Sequence, residues 1–202
     1  MPTLANLLAA PLAVFALAPA PRPPVLAEAA PVAVPAACSA GEIRWSPERR
    51  LRIRDFRSAE RVRGLSAEAS TGIGAASSAE PDRRHFRITI RSFFDPCASW
   101  MRESERNAYT LAHEQLHFDI TELHARKLAA RYLAEVRDHA TFMRVHSQFY
   151  EDAWAESRAM QQAYDREVYG DEEAQARWIR EVGEELARME AYAEKVVVLP
   201  IR

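Results

Sequence analysis

The stretch HFRITIRSFFDPCASWMRESERNAYTLAHEQLHFDITELHARKL, residues 85–128, changes its period halfway along. From His85 to Arg91 apolar residues alternate with charged or polar ones, the pattern of a strand with one buried face. From Ser99 onward apolar positions recur at the helical spacing, and proline is absent until Pro200. Ala, Leu, Glu and Arg dominate this second half, and all four are good helix formers. Strands followed by helices, without alternation, predict an α+β fold: a small N-terminal antiparallel sheet, then a bundle of about three helices.

The flanking sequence extends both halves. Ile43-Arg44-Trp45 and Leu51-Arg52-Ile53-Arg54 alternate as the His85 strand does. Residues 66–78 are mostly Ala, Ser, Thr and Gly, suited to a further strand beside a close neighbour. Glu80-Pro81-Asp82 reads as the turn into His85. Together these predict three or four antiparallel strands, wetted on one face. Helices are expected over about 101–137 and 141–169. Gly170 then serves as a left-handed cap, and Asp171 starts a third helix reaching about residue 194. The expectation is one domain over 38–202, with strands in 41–97 and helices in 100–195.

The first 37 residues are different material. Leu4 to Leu17 is apolar apart from Asn6 and Pro11, and a Pro/Ala-rich stretch follows to Ala37. The apolar run is shorter than the roughly 20 residues that span a bilayer, and it suits the core of a secretory signal. The expectation is therefore a signal peptide and leader over 1–37, a periplasmic or secreted protein, and no stable membrane span after cleavage. Pro35 stands where a lipoprotein site before Cys38 would want a branched apolar residue, so lipidation is not expected. In an exported protein the two cysteines, Cys38 and Cys97, predict a disulfide from the start of the fold to the entrance of its main helix. The net charge of -2 gives no reason to expect a nucleic-acid partner.

His113-Glu114-Gln115-Leu116-His117 carries the chemistry. Histidines four apart on a helix lie one turn apart on the same side, so both imidazoles can reach one cation. Zinc takes imidazole nitrogen readily, and in hydrolases it keeps three protein ligands and a water. His113 and His117 are thus the expected zinc ligands. Glu114, about 100° round the helix, is the expected general base for that water. The partner this implies is a peptide or protein substrate.

The string HEQLHFDITELHARKL, residues 113–128, closely resembles the signature of a bacterial family of predicted zinc-dependent proteases whose function is otherwise unknown. IRWSPERRLRIRDF (43–56) resembles that family's opening strands, and Ser99-Trp100 falls where its Ser-Trp pair precedes the helix. Tyr164-Asp165, with Gln175 and Trp178, is similar to its C-terminal element. The resemblance spans about 41–190 and implies a zincin-like metallopeptidase. In one place the chain departs from it. The family's Thr-x-His-Gly stretch is replaced by Tyr164-Asp165-Arg166-Glu167-Val168-Tyr169-Gly170, which leaves the third ligand open.

Glu167 is the first candidate for that ligand, an acid on the otherwise apolar face of Phe149, Ala153, Met160 and Tyr164. Asp165 is the alternative, the residue that matches the family. His124 and Glu156 stand behind them, as does a site with no third ligand. Glu122 is expected in a surface ion pair with Arg126, and Asp119 as the anchor of a neighbouring element. Tyr164, Tyr169, His146 and His124 are the candidate oxyanion donors. The competing function is an inactive zinc-binding or helical interaction protein of the periplasm. Glu114 discriminates, because a purely structural metal site has no need of a base.

Overall fold

The computed structural model describes residues 38–60, 62, 64–168 and 170–201. The expected signal peptide and leader lie outside these residues.

The sheet is built around β4 (His85–Phe94), whose Phe86, Ile88, Ile90, Ser92 and Phe94 are buried on one face. Strand β3 (Thr71–Ala79) pairs antiparallel along one edge of it, with Thr71 opposite Phe94 and Ala79 opposite Phe86. On the other edge β1 (Ile43–Arg44) covers Phe93 and Phe94, and β6 (Val196–Pro200) covers His85 to Thr89. A second, two-stranded sheet joins β2 (Ala67–Glu68) to β5 (Trp100–Met101). The small residues of β3 have a steric reason. A Cβ at Gly72 would stand 2.5 Å from the Phe93 ring, and one at Gly74 would stand 2.7 Å from the Arg91 guanidinium.

Helix α1 (Ala108–Glu135) begins at Asn107, whose side chain accepts the Thr110 N–H. It is buried on nearly every side. Its Ala125, Leu128, Ala129 and Tyr132 meet the sheet and α2 (His139–Val168), while Leu116 and Ile120 meet α2 and α3 (Glu172–Arg188). Phe118 meets Phe94, Phe56 and Met101 from the N-terminal half. Most buried polar side chains of α1 find partners, but neither ring nitrogen of the buried His124 makes a hydrogen bond among the described residues. The junction of α2 and α3 follows the expected chemistry: Gly170 adopts φ +72°, and the Asp171 carboxylate accepts the Ala174 N–H. Cys38 and Cys97 form the expected disulfide, with Cα atoms 5.5 Å apart.

Three expectations need correction. Helix α1 starts at Ala108 and not near residue 101, because Trp100–Met101 pairs with β2 and Glu103–Glu105 forms a 3-10 turn before Asn107 caps the helix. Leu51 to Arg54 is not a strand, because the Asp55 carboxylate captures the Arg52 N–H and the Arg49 guanidinium and folds the backbone into a 3-10 turn at Ile53–Asp55. The third helix ends at Arg188, not near 194. After a turn at Glu190–Tyr192 and Lys195 at φ +52°, the β-branched run Val196-Val197-Val198 enters the sheet. Among the described residues, no helix is long and apolar enough to cross a membrane.

Candidate metal centre

His113 and His117 project from the second and third turns of α1 toward α2. Their Nε2 atoms lie 3.2 Å apart. Asp165 of α2 completes a triangle, its Oδ1 3.2 Å from His113 Nε2 and 3.0 Å from His117 Nε2. Three donors held tetrahedrally at zinc's usual 2.0–2.1 Å stand about 3.3–3.4 Å from one another, so the spacing suits one small cation. Two imidazole nitrogens and a carboxylate oxygen are also a donor set that zinc accepts.

Of the two acids expected as third ligand, the alternative, Asp165, stands with the two histidines, and the first choice, Glu167, does not. The cause is helical phase. Gln161 touches His117, and Asp165 follows Gln161 by one turn, so both face the histidines. Glu167 points elsewhere, accepting from Trp178 Nε1 at 2.9 Å and pairing with Arg177 on α3.

Aromatic packing orients the imidazoles. The buried Tyr164 ring stacks on His113 at 4.6 Å between centroids and meets His117 edge-on at 5.3 Å. Trp178 of α3 backs that tyrosine at 5.5 Å. The Tyr164 hydroxyl is buried and has no hydrogen-bond partner among the described residues, so its visible role is packing, not donation toward the site. His146 is engaged with Tyr132 Oη at 2.6 Å, and Tyr169 lies outside the described residues.

Glu114 is nearly fully buried beside the two histidines. Its Oε2 accepts the Ala69 backbone N–H at 2.7 Å, from the link between β2 and β3. Burial pushes its carboxyl above the ordinary value, and the imidazoles of His117 and His113 offset part of that rise. Burial would pull His117 down, but the hydrogen bond to Asp165 and the Glu114 charge outweigh it and raise the imidazole. Asp165 goes the other way: burial opposes ionisation, yet hydrogen bonds from His113 and His117 hold its carboxyl well below the usual range. The cluster as a whole attracts positive charge, as protons or as a cation.

The remaining candidates are structural. His124 is buried between α1 and α2, with Nδ1 3.7 Å from Glu156 Oε2, and joins no ligand group. Burial lowers its pKa to about 4, so it is neutral at pH 7. Asp119 behaves as expected, anchoring the N-terminal segment through Trp45 Nε1 at 2.7 Å and Arg50 at 3.0 Å. Glu122 does pair with Arg126, at 2.8 Å, but in the interior and not at the surface.

Sequence reasoning missed Gln161 and the Ala69 amide. Gln161 had a signal, since Gln161 and Asp165 form a polar i, i+4 pair on a helix that packs against the histidine-bearing one. A backbone donor leaves no trace in composition. No protein-family model, no curated protein and no solved structure matches the chain, so the site stands on its own geometry.

Proposed function

We propose that the chain is a zinc-dependent peptidase of the cell envelope, with His113, His117 and Asp165 as metal ligands and Glu114 as general base. The observation that carries this is the convergence of the three donor atoms, each pair 3.0–3.2 Å apart, beside a buried carboxylate. Zinc held there would supply Lewis acidity toward a peptide carbonyl and lower the pKa of the water it binds.

The protein's own share follows from placement. Glu114 takes the proton from the attacking water as the C–O bond forms, then delivers it to the leaving amine nitrogen as the C–N bond breaks. Its raised pKa suits a group that must both accept and return a proton near neutral pH. The Ala69 N–H holds one carboxylate oxygen and leaves the other for this transfer. Tyr164 fixes the ring planes, which keeps both Nε2 atoms on target. The disulfide supports an oxidising compartment.

The test has two arms. Purified protein should carry one zinc per chain, and His113→Ala should abolish it. Glu114→Gln should retain the zinc while losing hydrolysis of an unstructured protein substrate. Equal turnover by wild type and Glu114→Gln would end the peptidase proposal and leave a binding protein.

A further inference from the structure

The hydrogen-bond network behind His117 determines which of its nitrogens carries the proton. His117 Nδ1 lies 3.2 Å from Gln161 Oε1. An amide can face an imidazole with oxygen or nitrogen, so the choice must come from its other partners. Gln161 Nε2 lies 3.1 Å from Ser157 Oγ and 3.4 Å from Thr121 Oγ1. Thr121 gives its single hydroxyl proton to the His117 carbonyl at 2.9 Å. It can therefore only accept, from Thr71 Oγ1 at 2.8 Å and from Gln161. An acceptor at that position requires the amide nitrogen there, which turns Oε1 toward His117. Nδ1 must then donate, so Nε2, the atom 3.0 Å from Asp165, either gives a second proton to that carboxylate or, with a cation bound, turns its lone pair to the metal.

We propose that Gln161 is a positioning residue that holds the proton on His117 Nδ1 and leaves Nε2 for the cation, with Thr121, Ser157 and Thr71 fixing the amide. This rests on the metal-site reading above but concerns a state of the metal-free protein as well. Ligating histidines usually give their second N–H to such a partner, and losing that partner typically weakens metal binding by about 10–100-fold. The partner here is a neutral amide held by hydroxyls, so the ring is oriented without adding a negative charge to the site.

The experiment compares wild type, Gln161→Leu and Gln161→Glu, each confirmed as folded by its circular dichroism spectrum. Nitrogen-15 NMR of the histidine rings at alkaline pH reads the tautomer in metal-free protein carrying Asp165→Ala, from which the competing acceptor at Nε2 is gone. Zinc affinity is read by competition with a chromophoric chelator. With Asp165→Ala, His117 should take the Nδ1–H form when Gln161 is present and a mixture in Gln161→Leu, and Gln161→Leu alone should bind zinc about 10–100-fold more weakly than wild type. Gln161→Glu, which keeps an acceptor oxygen, should restore the Nδ1–H form and most of the affinity. An unchanged tautomer in Gln161→Leu, with zinc affinity within twofold of wild type, would overturn the inference. Failure of wild type to bind zinc would instead sink the metal-site reading, and the tautomer measurement would still decide the role of Gln161.

Discussion

Helix α1 buries two glutamates two turns apart, and they are treated in opposite ways. Glu122 is fully enclosed and saturated: Ser92 donates its hydroxyl, Arg126 Nε lies at 2.8 Å and Lys195 Nζ at 2.9 Å. Arg126 passes the connection on to the Leu186 carbonyl at 2.9 Å and to Glu190 at 3.0 Å. Glu114 receives one backbone N–H and faces imidazoles whose charge depends on protons. A buried carboxylate matched by fixed cations is a fastener. One left with spare acceptor capacity beside proton-exchanging groups is available for chemistry.

The contrast can be broken from either end, and the largest effect belongs to the site. Glu114→Gln should lower hydrolysis by about a thousandfold, within the usual range for losing a general base, with the melting temperature unchanged or raised. Assay and thermal unfolding on the same preparation decide it. Glu122→Ala should do the reverse, costing about 3–5 kcal/mol of stability because the buried Arg126 keeps only the exposed Glu190 as a charged partner and Lys195 loses its carboxylate. Denaturant unfolding measures that loss, and whatever fraction stays folded should bind zinc normally.

The third effect is a pH dependence at His124, which separates a trapped histidine from the His113–His117 pair. Its folded pKa is about 4, below the ordinary 6.5, so the unfolded chain takes up the proton first. Stability is then fully present above about pH 6.5 and falls as acid approaches pH 4, by up to about 3 kcal/mol. Unfolding in chelator at several pH values should show this slope in wild type and a shallower one in His124→Leu. The smallest effect is expected for Tyr164→Phe. The hydroxyl makes no hydrogen bond to the described residues, so its removal should change stability by less than about 1 kcal/mol and leave zinc affinity intact. Tyr164→Ala, which removes the ring stacked on His113, should weaken zinc binding.

Sequence periodicity made the broad fold legible because strands and helices occupy separate halves of the chain. The alternation of β4, the glycine and aspartate between α2 and α3, and the cysteine pair all behave as local rules require. Errors arose where one side chain redirected the backbone, as Asp55 does after Leu51, and where helical composition masked the run at Val196. At the site, spacing within one helix identified His113 and His117 together with Glu114. The third donor comes from another helix, and its identity depends on the rotation of α2 against α1, which apolar patterning on α2 alone does not specify. Glu167 lies on the broad apolar side, yet at that point of α2 its carboxylate meets Trp178 and Arg177 of α3. Asp165 lies one residue past Tyr164 and meets the histidines.

The position of β6 has a consequence for how the molecule assembles. Its hydrogen-bonding partner, β4, is made long before it, and all three helices come between. Lys195, just ahead of β6, also delivers one of the two cations around Glu122. Until that segment arrives, half of one β4 edge is unpaired and the helix that carries the histidines holds an under-compensated charge in its middle. Long-range closure of this kind slows folding. A chain clipped ahead of Lys195 would lose one of the two cations around Glu122 and the pairing of half of one β4 edge.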